Sequence, residues 1–196
     1  MLKDAFASEL LAILFVAQEP VTLEQFQEIY PDQDATQIEA RVRQLSEDFN
    51  SVQDAVEIRQ VAGGYRMTTR PQYHETVRAY LRTRPSAKLS MAALETLAVI
   101  AYKQPVTFPE IMEIRGIKGT STIRTLLEKK LIQTRGRKKV VGRPMMYGTT
   151  REFLVHFGLN DLSELPTLKE LEELLGEEPA IKSQPATGET ERPTDN

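Results

Sequence analysis

The sequence predicts a mostly α-helical chain with small β wings: one helical unit written twice in tandem, then a disordered acidic C-terminal tail. Three observations predict it. Residues 18–29 (QEPVTLEQFQEI) and 103–114 (KQPVTFPEIMEI) agree at five of twelve positions at an offset of 85. After each segment the apolar period changes from about 3.6 to 2. From Gly176 onward only Ala180, Ile181 and Ala186 are apolar, among three prolines, which is too little to build a core.

In each copy a richly apolar helix comes first. It covers 5–17, with Ser8 and Glu9 as polar exceptions, and 91–102, with Glu95 and Thr96. Neither has the polar stripe of a one-sided surface helix, so both are expected to be buried on more than one side. Thr22 and Thr107 stand three residues before Gln25 and Glu110, the capping-box spacing. Val21 with Phe26, and Val106 with Ile111, supply hydrophobic staples, so a second helix starts at both places. A third periodic helix follows, with Ile38 and Val42 answering Ile123 and Leu127. Residues 55–61 and 65–69, joined through Gly63 and Gly64, then alternate as a hairpin with Val56, Ile58, Tyr65 and Met67 inward. The second copy places strands at 131–135 and 145–149 around a longer loop, 136–143. The return strands end in Thr68-Thr69-Arg70 and Thr149-Thr150-Arg151, each before another helix, 72–81 and 152–157. This order is that of a winged-helix domain, a helix-turn-helix relative with the hairpin as its wing.

The chain therefore reads as tandem winged-helix domains at 1–82 and 89–160, joined by a linker at 83–88 through Arg84-Pro85-Ser86. A short acidic helix at 161–175 and the tail at 176–196 complete it. Domains this small bury only about 60% of their unfolded surface, so packing on each other or on partners is expected.

Composition narrows the function. The absence of cysteine removes disulfides and thiolate metal sites, and His74 and His156 stand alone. The longest apolar run, 10–17, is eight residues against the roughly 20 that span a bilayer, so a cytoplasmic protein with no membrane contact is expected. Net charge is segregated: −5 over 1–82, +9 over 83–158 and −7 over 159–196. Any phosphate contact belongs to the middle segment. Its candidates are Arg135, Arg137, Lys138, Lys139 and Arg143 on the second wing, which either track a phosphate backbone or simply solvate an exposed loop. The third helix of that copy, 120–130, offers Arg124 as its one strong base-edge donor, which argues against sequence-specific reading. Gly116-Ile117-Lys118-Gly119 has the GxxG spacing of a KH clamp, but Gly116 is better read as a helix C-cap. No catalytic motif, cofactor motif or small-molecule site is present, so the reading is non-enzymatic and without cofactors. The surplus of apolar helix surface points to protein partners.

Residues 89–119 (LSMAALETLAVIAYKQPVTFPEIMEIRGIKG), with LLEKKLI, GRKKVVGRP, YGTTREFLVHFGL and ELP after them, closely resemble the segregation and condensation protein B family. The resemblance is weaker over 5–82, through EPVT and GGYRMTTRP. It implies a homodimeric tandem winged-helix subunit of a bacterial condensin-like SMC complex, nucleoid-associated in the cytoplasm, acting in chromosome segregation and cell division. It also implies binding to the kleisin, segregation and condensation protein A, and to SMC through that kleisin. Dimerisation falls to the first copy, with Phe6, Leu10, Ile13 and Leu14 as candidates. Kleisin contact falls to the second, with Leu94, Leu97, Val99, Ile100 and Tyr102; non-specific DNA contact by the wing stays open. The alternative is a winged-helix DNA-binding transcriptional regulator. Two departures stand out: Lys130 replaces a helix-ending glycine, forcing Lys130 or Lys129 into a costlier conformation, and Val141 replaces a proline in the wing.

Overall fold

The computed structural model describes residues 4–81, 89–116, 121–167 and 169–170. The expected linker at 83–88, Gly119, Thr120 and the tail at 176–196 lie outside the described residues, as do Leu168 and residues 171–175 of the expected acidic helix. The first copy runs α1 (Ala5–Val16), β1 (Val21–Thr22), α2 (Leu23–Ile29), α3 (Ala35–Val52), β2 (Val56–Val61), β3 (Gly64–Thr69) and, after one 3-10 turn, α4 (His74–Leu81). The second runs α5 (Met91–Lys103), β4 (Val106–Thr107), α6 (Phe108–Arg115), α7 (Ser121–Glu128), β5 (Ile132–Arg137), β6 (Met145–Thr149) and α8 (Arg151–Phe157). The described residues up to Glu164 form one compact unit, and those from Leu165 belong to another. In that second unit the Thr167 N–H donates to Glu170 Oε2 at 2.6 Å and the Glu170 N–H to Thr167 Oγ1 at 3.3 Å, a capping box.

Each wing is three-stranded rather than two-stranded, in the orders β1-β3-β2 and β4-β6-β5. The third strand is the Val-Thr pair before the capped helix, with Val21 opposite Tyr65 and Val106 opposite Tyr147. The first wing turns on Ala62 and Gly63, not on Gly63 and Gly64; their φ angles of 51° and 76° suit a two-residue hairpin turn with both central residues left-handed. Gly64 lies inside β3, where a Cβ would stand 2.8 Å from the Val21 carbonyl oxygen. In the second wing β5 continues through Gly136 to Arg137, which pairs with Met145 past an irregularity, so the connecting loop is 138–144.

The capping boxes form as the spacing predicts. The Thr22 N–H donates to Gln25 Oε1 at 2.9 Å and the Gln25 N–H to Thr22 Oγ1 at 3.4 Å. The Thr107 N–H and hydroxyl both donate to Glu110 Oε2, at 2.8 and 2.6 Å. The polar exceptions on the first helices fasten the second helices. The Tyr30 hydroxyl donates to Glu9 Oε2 at 3.1 Å. At the matching position, Arg115 donates to Thr96 Oγ1 and Glu95 Oε2, both at 2.7 Å, with its side chain only 5% exposed. The two copies thus share a tether between first and second helix while using different chemistry for it.

Ala7, Leu10 and Leu14 of α1 pack with Phe26, Ile38, Val42 and Leu45, and Ile58 and Tyr65 close this core from the sheet. In the second copy Ala93, Leu97, Ile100, Val106, Ile111, Ile123, Leu126, Ile132 and Phe153 are buried. Each fully buried Leu, Ile or Phe contributes about 1.5–3 kcal/mol, and that pull fixes which side of each helix turns inward. α7 ends in a Schellman motif. The Leu131 N–H donates to Leu126 O at 3.0 Å and the Lys130 N–H to Leu127 O at 2.9 Å, with Lys130 left-handed at φ 56°. Of the two expected lysines, Lys130 takes the strained position. Gly116, also left-handed at φ 67°, ends α6 as a C-cap.

The copies meet at the first wing. The Ala62 N–H donates to Leu159 O at 2.9 Å and the Gly63 N–H to Asn160 Oδ1 at 3.0 Å. Arg151 donates from Nε to Ala62 O and from Nη2 to Pro20 O, both at 3.3 Å.

Candidate functional site

The helical period decides which apolar residues of α1 stay available. Leu10 and Leu14, expected at a dimer contact, are 0% and 1% exposed and are consumed by the protomer's own core. Phe6 and Ile13 pack half-buried against that core, Phe6 meeting Tyr30 edge-on with ring centroids 4.9 Å apart. The outward residues are Phe15 and Val16, 77% and 74% exposed. Phe15 lines an apolar groove of about 350 Å³ with Leu11, Ala12, Phe49 and Met67, between α1, α3 and β3.

α5 divides in the same way. Leu97 and Ile100, expected at a kleisin contact, are buried in the second core and cannot touch a partner. Leu94 is exposed, Val99 and Tyr102 are half-buried, and the exposed Met91 and Ala98 extend the outer face. Leu10, Leu14, Leu97 and Ile100 are therefore corrected from partner-facing to core positions. Unpartnered apolar surface remains on both helices, but on other residues.

On the second wing Lys138 pairs with Glu110 of the capping box. Hydrogen bonding from Lys138, ahead of that from Thr107, holds the Glu110 carboxyl down at about 2. Arg135 Nη2 donates to Thr149 O at 3.2 Å and Arg137 Nη1 to Arg143 O at 3.1 Å, so both lie along the hairpin. Among the described residues no carboxylate pairs with Arg135, Arg137, Lys139 or Arg143. The wing tip carries a feature that a count of charges misses: Val140 and Val141 both project into solvent, Val141 completely.

The surfaces that read DNA in helix-turn-helix proteins are poorly equipped here. Arg124 Nε is engaged by Glu128 Oε1 at 2.8 Å within α7. In the first copy the groove between α2 and α3, about 510 Å³, is rimmed by Glu24, Glu28 and Glu39, which repel phosphates. No described helix is long and apolar enough to cross a membrane.

Fold and surfaces together define a tandem winged-helix protein with exposed apolar residues left on α1 and α5. The family model "Segregation and condensation complex subunit ScpB" matches residues 8–168. The chain is 41% identical to segregation and condensation protein B of Myxococcus xanthus over 98% of this chain. It is 45% identical to that of Symbiobacterium thermophilum over 81% of this chain, and 42% identical to that of Syntrophotalea carbinolica over 87%. It spans 60%, 71% and 85% of the lengths of those three relatives. Among solved structures it is similar to a conserved hypothetical protein from Chlorobium tepidum, at 38% identity over 78% of this chain and 95% of that one, TM-score 0.36. ScpB from Mycobacterium tuberculosis is similar at 31% identity over 78% of this chain and 94% of that one, TM-score 0.37. The chain belongs to the ScpB family of segregation and condensation complex subunits.

Proposed function

We propose that this chain is a non-enzymatic subunit of a bacterial condensin-like SMC complex, acting in chromosome segregation by clasping the kleisin, segregation and condensation protein A, and reaching SMC through it. In this reading the first winged helix, 1–82, pairs with its copy in a homodimer through the Phe15 groove. The second, 89–160, holds the kleisin on the outer face of α5 around Met91, Leu94 and Tyr102. The observation that carries the reading is the apolar surface left open on α1 and α5 after both cores have closed. Family membership supports the complex itself. Leu94 is 37% exposed, so a partner buries only the remaining third of it, but a carboxylate placed in that apolar contact is desolvated without a partner, and Leu94→Glu is expected to weaken kleisin binding at least tenfold. Co-purification with the kleisin is expected to survive washing at about 0.5 M salt, because apolar contact is not screened. If such a wash strips the partner, or Leu94→Glu leaves binding unchanged, apolar clasping by α5 is wrong.

A further inference from the structure

The second wing ends in an unusual combination for a solvent-exposed loop. Val140 and Val141 stand side by side in water, flanked by Lys139 and Arg143, which have no carboxylate partner among the described residues. The loop is held in shape rather than left slack. The Lys138 N–H donates to Pro144 O and the Arg143 N–H to Val140 O, both at 2.9 Å, and Lys138 is pinned to Glu110. A preformed apolar knob between two cations loses little conformational freedom on binding, which favours docking. Solvation alone explains the lysine and arginine but not two adjacent exposed valines.

The first copy carries the complement. Between α2 and α3 lies a groove of about 510 Å³ with Leu23 and Ala35 in its lining and Glu24, Glu28 and Glu39 around it. Its surface is apolar within and acidic at the rim, where Arg43 of α3 already pairs with Glu39 and leaves Glu24 and Glu28 without a basic partner among the described residues, the inverse of the wing tip. Gln27 also lines it, with a buried Oε1 that has no hydrogen-bond partner while its amide nitrogen donates to Gln33 O at 2.7 Å. Nucleic acid does not fit, because the rim is anionic, and a wholly apolar helix leaves the rim unpaired.

We propose that the acid-rimmed α2–α3 groove of one copy receives the Lys139–Val140–Val141–Arg143 wing tip of a second copy, a self-association contact separate from the α1 face and from the kleisin face of α5. Charge complementarity steers the encounter and the two valines supply the burial. The contact joins different surfaces on its two sides, so it adds copies beyond a pair held elsewhere.

The test is sedimentation velocity of the full chain over a concentration series, with and without Phe15→Glu to remove the α1 groove contact. At about 0.1 M salt, species larger than a dimer are expected, falling as the Debye length shrinks from about 10 to about 3 Å at 1 M. Val141→Asp and Glu28→Lys are each expected to weaken this association at least fivefold. Pairing Arg143→Glu with Glu28→Lys is expected to restore part of it. With Phe15→Glu the wing contact persists, whereas loss of all association on Phe15→Glu alone overturns the proposal. So does association indifferent to Val141→Asp and Glu28→Lys. A third overturning result is a wing whose variants change only the binding of a labelled DNA duplex, measured by anisotropy, which would make the loop a phosphate contact.

Discussion

Arg151→Ala should loosen the first wing from the second copy without unfolding either. Its guanidinium makes two bonds, to Ala62 O and Pro20 O, both at 3.3 Å. A hydrogen bond to a charged group contributes about 1.5–3 kcal/mol when well made, but these are long and the side chain is exposed, so about 1 kcal/mol each is the working value. Losing both, about 2 kcal/mol, shifts the docked-to-open ratio roughly 30-fold. Amide hydrogen exchange reads this directly, because the N–H groups of Ala62 and Gly63 point at Leu159 O and Asn160 Oδ1 instead of being spent within their own hairpin. In an isolated two-residue turn both would exchange freely. Protection of both amides is expected in the unmodified protein, with exchange about 30-fold faster in Arg151→Ala and no change at Ile58, whose N–H donates to Asn50 Oδ1 at 2.8 Å within the first copy. Fast exchange at Ala62 and Gly63 before any substitution would refute the docked wing, and equal acceleration throughout the first copy would mean that Arg151 supports the fold instead.

Two further outcomes follow from local geometry. Lys130→Gly removes a left-handed lysine at φ 56° from the α7 Schellman motif, and should raise stability by about 1 kcal/mol, or Tm by about 2–4 °C, in a thermal melt. No gain would mean that the side chain offsets its backbone strain. Glu110 is held at about 2 from an ordinary 4.5, so its contribution is fully present above 4.5 and is lost as pH falls toward 2. Urea melts of Glu110→Gln should therefore lose less stability than the unmodified chain between those two pH values and behave alike in slope above them. At the matching place the first copy has the neutral Gln25, which carries no such dependence itself.

The parts of the fold that were legible are those written in local spacing. Thr22 with Gln25 and Thr107 with Glu110 announce their helices because a capping box is satisfied within four residues. The β1 and β4 strands were not legible, since two residues cannot show a period and their pairing with β3 and β6 is long-range. The inward burial of Leu10 and Leu14 was not legible for a related reason. α1 is apolar almost all round, so its sequence does not mark an inward face, and the decision falls to Phe26, Ile38 and Leu45 from elsewhere in the chain. On the wing, counting cations found the charge but not the exposed pair Val140 and Val141, half and fully exposed, because their exposure depends on where the loop turns.

The paired Thr-Thr-Arg endings show how one unit, written twice, came to hold itself together. Arg70 turns back onto its own copy, donating Nε to Gln53 O at 3.0 Å and Nη2 to Asn50 O at 2.5 Å, at the carbonyl-rich end of the 18-residue α3. α7 has only 8 residues and closes its own carbonyls through Lys130 and Leu131, while the Thr150 hydroxyl takes Lys130 O at 2.6 Å. Arg151 is thereby released from capping and reaches the backbone of the other copy. Backbone carbonyls and N–H groups form that junction with the Arg151 and Asn160 side chains, and it depends on the left-handed turn at Ala62 that presents them. Because these bonds join the copies through polar groups, Phe15 and Met91 stay 77% and 71% exposed in the joined unit. A junction made by burying Phe15 or Met91 would have consumed that surface; these bonds leave it open.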